Sequence, residues 1–220
     1  MATASLTSKK RALRRSISSI LHALSQDETR IQSHAITGRV LSAPWFSQAT
    51  TISCYLSMPT GEVDTSAVTE AILASGKNLF VPKVDITLPG GMDFLRVHNE
   101  EDLRSLPDGV WGIKEPQYQY RDAPRMKATD EDGAPLDVIL IPGVAFDRSL
   151  ARLGHGKGYY DRFLTSYTSL ASARRTTKPL FVGLALREQV LAAGEVPFGT
   201  NDVQVDMVVT PDEIITLHHV

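Results

Sequence analysis

The feature that most constrains this 220-residue chain is a short run that is apolar at every position. Val138 to Ile141 ends a strand predicted over Leu136–Ile141; Gly133-Ala134-Pro135 precedes it and Pro142-Gly143 stops it. A strand with one wet face alternates apolar and polar side chains, whereas one that is apolar throughout is covered on both faces. Such cover is typical of a largely parallel sheet with helices on either side. Other predicted strands are Thr51–Leu56, Leu79–Val81 (halted by Pro82), Met92–Val97, Leu180–Leu186 and Val205–Thr210. Between them fall helical patterns. One starts at a Ser8 cap and runs to Leu24. A second opens on a Ser25/Glu28 capping box and passes through Ile31, Ile36, Val40 and Leu41 toward Pro44. Thr65–Ser75, closed by Gly76, and Tyr159–Leu170 complete the set, while 107–135 and 166–178 read as loops. The expected fold is α/β: a layered single domain over residues 1–220, with a mainly parallel or mixed central sheet flanked by helices. No internal repeat is present.

Composition narrows the function. The 23 basic side chains against 25 acidic ones leave a net charge of −2, which argues against a general nucleic-acid or membrane-surface binder. One cysteine, Cys54, excludes an internal disulfide framework and a Cys-rich zinc module. No apolar run approaches the ~20 residues that span a bilayer. No acidic residue precedes Asp27, whereas Lys9, Lys10, Arg11, Arg14 and Arg15 are basic and serines are frequent. That pattern suits an organelle transit peptide. The favoured reading is a helix of the fold, since Leu13, Ile17, Ile20, Leu21 and Leu24 form one apolar stripe that must pack somewhere. A cytoplasmic location is expected, with a mitochondrial one left open.

After the central strand comes Arg152-Leu153-Gly154-His155-Gly156-Lys157-Gly158-Tyr159-Tyr160-Asp161. Glycines at alternate positions cost about 0.5–1 kcal/mol each relative to Ala inside regular structure, and are tolerated where backbone N–H groups approach a ligand. Arg152, His155 and Lys157 add cationic donors, and a helix starts next. Gly-rich backbone, cations and a helix N-terminus together describe an anion site, best suited to phosphate. Neither a GxxxxGK[ST] loop nor GxGxxG fits. Lys9, Lys10 and Arg11 begin a helix where its dipole disfavours cations, a placement that a bound polyanion would reverse.

This loop, preceded by Ile141-Pro142-Gly143-Val144-Ala145-Phe146-Asp147, resembles that of the 5-formyltetrahydrofolate cyclo-ligase family. The resemblance extends over nearly the whole chain. It includes Lys10-Arg11-Ala12-Leu13-Arg14, Tyr55-Leu56-Ser57-Met58 leading to Glu62, Trp111, and Asn201-Asp202-Val203-Gln204-Val205-Asp206. It implies an enzyme that converts 5-formyltetrahydrofolate and ATP, with Mg2+, into 5,10-methenyltetrahydrofolate, ADP and phosphate. Such a reaction is catalysed by positioning and charge stabilisation, with no nucleophilic Ser or Cys.

By the same resemblance, Lys10 and Arg14 would reach the ATP phosphates. Arg152, Gly154, His155, Gly156, Lys157, Gly158, Tyr159 and Tyr160 would wrap the triphosphate. His155 through Tyr159 would also meet the formyl end of the folate. Arg152 and Lys157 are the expected transition-state cations, and Asp161 and Asp202 the magnesium carboxylates. Leu56, Met58 and Glu62 would hold the pterin, with Trp111 and Tyr159 giving flat apolar contact. Asp64 is the alternative to Glu62, and His155 introduces a titratable cation. The expected partners are the folate and ATP, bound by a monomer. A non-catalytic formylfolate- or nucleotide-binding protein and a sugar-phosphate kinase or isomerase are the competing readings.

Overall fold

The computed structural model describes residues 5–85, 87, 91–109 and 112–217. Helices α1 (Leu6–Ala23), α2 (Gln26–Ser42) and α3 (Pro44–Gln48) lead into β1 (Thr51–Ser53), α4 (Ser66–Ala74), β2 (Asn78–Asp85), β3 (Gly91–Val97) and α5 (Glu100–Ser105). A hairpin of β4 (Gln119–Tyr120) and β5 (Ala123–Pro124) precedes β6 (Val138–Ile141), β7 (Ala145–Asp147) and β8 (Arg152–Leu153). Then come α6 (Tyr159–Ala173), β9 (Leu180–Leu184), a 3-10 turn at Arg187–Gln189, β10 (Val190–Leu191), β11 (Met207–Val209) and β12 (Ile214–Thr216).

The main sheet has seven strands in the order β12-β11-β9-β6-β1-β2-β3, with the apolar run at its centre. The inner pairs are parallel and both edge strands antiparallel. Alternation explains why β6 is apolar throughout. Val138 and Leu140 join one buried cluster with Ile17, Ile36, Val40, Val68 and Ile72 of the N-terminal helices. Ile139 and Ile141 face the other cluster, with Phe163, Leu164 and Tyr167 of α6. Successive side chains point to opposite faces, so helices cover the sheet on both sides.

Three expectations need correction. The first helix is capped by Ser5, whose hydroxyl accepts the Ser8 N–H at 3.2 Å, so Ser8 lies in the first turn. Pro82 does not halt β2, which continues to Asp85 opposite β3. Phe80 turns its carbonyl toward Cys54 of the neighbouring chain segment. Pro82, two residues on, turns its missing N–H to that same side, just where β1 has ended. Third, the sequence predicts no strand between Ile141 and the helix at Tyr159, yet a β7–β8 hairpin, which with β10 makes a three-stranded sheet, lies there ahead of the glycine loop.

Asp147 builds that hairpin. Its carboxylate is buried and accepts from the Ser149 and Ala151 N–H groups and from the Ser149 hydroxyl. Its second oxygen accepts from the N–H groups of Gly194 and Val196, tying the 194–199 segment to the hairpin. The 54–62 segment leaves the carboxyl end of the parallel strand β1, the edge where open α/β sheets bind ligands, and the glycine loop leaves β8 of the hairpin that follows β6.

Candidate active site

The glycines of the loop serve different ends. Gly156 and Gly158 have φ of +96° and +69°, the left-handed region that side chains disfavour. Gly154 makes room instead: a Cβ there would lie 2.9 Å from the Arg152 guanidinium. Gly158 leaves α6 without a side-chain cap, so its first N–H groups face the loop.

Helix α1 delivers two cations to this place. Arg14 donates from Nε to the Gly154 carbonyl at 2.7 Å. Lys10, one turn earlier, binds both carboxylate oxygens of Asp202 at 2.5 Å. The other oxygen-side contact of Asp202 is the Gly199 N–H at 2.6 Å. Arg152 is buried beneath the loop, with Nη2 2.9 Å from Asp161 Oδ1 and Nη1 donating to the Pro142 carbonyl at 3.2 Å. Its guanidinium also lies 5.7 Å from the Tyr160 ring centre. Asp161 Oδ1 further accepts the Val203 N–H at 3.1 Å. Burial lowers the Arg14 pKa, and the attraction of Asp202 and Asp161 opposes it, so both carboxylates lie within electrostatic reach of that one guanidinium. Lys157 is exposed, and among the described residues no carboxylate forms an ion pair with it. His155 is exposed overall, yet desolvation of its ring, then Arg152 and Arg14, holds the imidazole below its ordinary pKa.

Among the described residues, no group of three His, Cys, Asp or Glu side chains is placed to hold a metal by itself. Asp161 and Asp202 nonetheless suit Mg2+, which takes one or two carboxylates and completes its shell with water and phosphate oxygens. The second oxygen of Asp161 has no hydrogen bond within the described residues, whereas Asp202 is held by Lys10.

A second concavity, a cleft of about 650 Å³, opens between the end of α1, the 56–66 segment, α5 and the residues Asp108, Gly112 and Lys114. Leu56, Met58, Glu62 and Asp64 all line it. Glu62 is buried and accepts the Met58 N–H. Its pKa is pushed up to about 7 by burial, which the Met58 hydrogen bond only partly offsets. Asp64 is exposed and spends Oδ1 on the Ser66 N–H, so the structure distinguishes the two acids. Tyr159 is half-buried at the start of α6, and Trp111 lies outside the described residues.

Tyr55 and Tyr160 were given less weight by the sequence than their surroundings warrant. Both hydroxyls are buried and without a hydrogen-bond partner among the described residues. Burial raises both phenol pKa values, and Glu62 raises each further. Tyr55 stands in the quoted Tyr55-Leu56-Ser57-Met58 stretch, so position gave a signal; its burial did not show. Glu62 is thus within electrostatic reach of both phenols, and Arg152 within reach of that of Tyr160.

Comparison with known proteins identifies the family. Residues 6–211 match the model of the 5-formyltetrahydrofolate cyclo-ligase family. A Saccharomyces cerevisiae 5-formyltetrahydrofolate cyclo-ligase is 34% identical over 216 residues, covering 92% of this chain and 95% of its own. An Arabidopsis thaliana protein named as the mitochondrial 5-formyltetrahydrofolate cyclo-ligase is 33% identical over 219 residues, covering 97% and 78%. The NMR structure of Aquifex aeolicus 5,10-methenyltetrahydrofolate synthetase superposes with a TM-score of 0.71 at 30% identity, over 96% of this chain and 94% of that one. With the family model matching residues 6–211 and a relative 34% identical over most of both chains, this chain belongs to the 5-formyltetrahydrofolate cyclo-ligase family.

Proposed function

We propose that the protein cyclises 5-formyltetrahydrofolate to 5,10-methenyltetrahydrofolate at the expense of ATP. The observation that carries this reading is the convergence of Lys10, Arg14, Asp161 and Asp202 on the glycine loop beside a cleft that buries Glu62. The formyl oxygen of an N5 amide is a poor leaving group. Transfer of the γ-phosphoryl group from ATP to that oxygen makes it a good one. N10 then attacks the formyl carbon and loses its proton, the C–O bond breaks, and phosphate leaves as the ring closes.

In this reading, Mg2+ on Asp161 and Asp202 would neutralise phosphate charge when bound. Lys10 and Arg14 hold the phosphates from α1, and the exposed Lys157 meets the transferring group. Arg152, buried under the loop, is better suited to position Asp161 and Tyr160 than to touch substrate. Glu62, flanked by Leu56 and Met58, accepts hydrogen bonds from pterin nitrogens. Lys10, Asp161 and Asp202 lie far apart in the sequence yet meet at one site, which supports a single domain. No helix among the described residues is long and apolar enough to cross a membrane. The use of Lys10 and Arg14 within the site supports reading that stretch as part of the fold rather than as a cleaved transit peptide, because cleavage there would remove both.

Near-ultraviolet absorbance of the methenyl product tests the reading directly. Product should form from 5-formyltetrahydrofolate only when both Mg2+ and ATP are present. Tight formylfolate binding with no product under those conditions would make the protein a binder rather than an enzyme.

A further inference from the structure

One wall of the Glu62 cleft is made by α5 and the stretch after it, which contribute Leu103, Arg104, Asp108, Gly112 and Lys114 to the lining. Helix α5 has six residues, fewer than two turns, and a helix that short does not hold its shape alone. A buried ion pair braces it from outside. Asp102 Oδ1 accepts from Arg125 Nη2 at 2.5 Å and Oδ2 accepts from Nη1 at 2.6 Å, with the side chains 0% and 4% exposed. Asp102 Oδ2 also accepts the His98 N–H at 2.9 Å, and Arg125 Nη1 donates to the Arg96 carbonyl at 2.8 Å. The end of β3, α5 and the residue that follows β5 therefore meet at one pair.

A two-pronged contact between a planar guanidinium and a carboxylate sets an angle as well as a distance. Tyr120 of β4 backs the fork: its ring centre lies 4.9 Å from the Arg125 guanidinium carbon, and the ring stacks on His98 at 4.4 Å and 15°. The brace reaches the cleft in two short steps. Leu103 and Arg104 follow Asp102 directly, and the Lys114 ammonium donates to the Arg104 carbonyl at 3.0 Å. Asp102 and Arg125 are not themselves among the lining residues. Taking both charges out of water costs about what their attraction returns, so net stability does not account for the pair, whereas the geometry it specifies does.

We propose that Asp102 and Arg125 are a positioning pair for the folate cleft, holding α5 at the angle at which its wall meets the bound substrate. The proposal rests on reading the Glu62 cleft as the formylfolate site, and its test separates the two. Arg125→Lys keeps the charge and removes the fork. Tyr120→Leu keeps both charges and removes the ring behind the fork. Calorimetry with 5-formyltetrahydrofolate and with Mg-ADP, and initial rates of methenyl formation, would be compared on the full chain well below each thermal midpoint. Arg125→Lys should weaken formylfolate binding and raise its KM by about tenfold, with kcat and Mg-ADP affinity kept within about twofold. Tyr120→Leu should move the same two folate quantities in the same direction by about two- to fivefold. Lowered midpoints with unchanged formylfolate affinity and KM in both variants would make the pair a stability element and overturn the proposal. Equal losses of formylfolate and Mg-ADP binding would overturn it as well, since the pair would then not act on one wall. Failure of the unmodified protein to bind formylfolate would remove the folate reading and this one with it.

Discussion

Lys10 and Asp202 stand 192 positions apart in the sequence, and the ammonium meets both carboxylate oxygens at 2.5 Å. The pair is largely buried, with both side chains 15% exposed. An ammonium so held neutralises the carboxylate that Mg2+ requires and is itself occupied when phosphate arrives. Ligand binding therefore has to exchange partners: Lys10 toward phosphate, Asp202 toward the metal. Asp202→Asn removes one side of that exchange. Affinity for metal-free ADP should rise by roughly three- to tenfold, because Lys10 no longer leaves a charged partner. The gain in affinity on adding Mg2+ should shrink toward none. Calorimetry with and without the metal checks both, and an undiminished Mg2+ response in the variant would take Asp202 out of the metal site.

Lys157 differs from Lys10 in having no internal ion pair among the described residues. Its charge-assisted contact with phosphate is worth about 1.5–3 kcal/mol, which corresponds to roughly tenfold to just over a hundredfold in kcat/KM for Lys157→Ala. The residue is exposed, so the thermal midpoint should stay within about two degrees, the response expected of a surface substitution. Native kinetics in a folded variant would remove Lys157 from the reaction.

Gly156 tests whether the loop shape matters as much as its charges. At φ +96° an L side chain is strained, and its Cβ would lie 3.3 Å from Arg14 Cζ. Gly156→Ala should lower stability by about 1–2 kcal/mol and weaken nucleotide binding more than folate binding. Denaturant unfolding and calorimetry on the same preparation separate the two effects.

How far the chain was legible in advance follows from which forces are local. The both-sided cover of β6 was readable because burial on two faces leaves no polar position in the strand. The Ser25/Glu28 capping box was readable for the same reason, being completed within three residues. The resemblance assigned Lys10 and Arg14 to the ATP phosphates and Asp202 to the metal, but the Arg14–Gly154 and Lys10–Asp202 contacts were not legible, because spacing alone holds no record of them. The β7–β8 hairpin and β12 escaped because strands of two or three residues carry little periodicity. Asp147 stood in a quoted motif, yet nothing local told that five donor groups would converge on it.

That convergence makes Asp147 the strongest stability prediction. Asp147→Asn replaces one acceptor oxygen by an NH2 group facing N–H donors in a fully buried setting. A loss of at least about 2 kcal/mol is expected from unsatisfied buried groups, or roughly 4–8 °C in thermal midpoint for a chain of this size. Because the carboxylate joins the hairpin to the 194–199 segment, nucleotide affinity should fall too, even at temperatures where the variant is folded. A midpoint unchanged from that of the parent would show that other contacts hold the hairpin.

Glu62 supplies the pH prediction. Its folded pKa of about 7 lies above the ordinary value of 4.5. Between these two values the unfolded chain releases the proton while the folded protein keeps it, so stability falls as pH rises across that window. Below the window both states are protonated; above it both are ionised, and the full penalty persists. The span corresponds to about 3 kcal/mol at most. Glu62→Gln preserves the Met58 hydrogen bond acceptor and removes the titration, so the variant should gain on the parent from pH 4.5 to 7 and hold a constant advantage beyond. Folate binding should move the opposite way. Pterin N–H donors favour an ionised acceptor, so parent affinity should rise as pH passes about 7, while the Gln variant should bind more weakly with a flat profile. Denaturant unfolding and formylfolate titration over the same pH series test the two limbs together, and parallel stability curves for parent and variant would show that Glu62 does not titrate in this range.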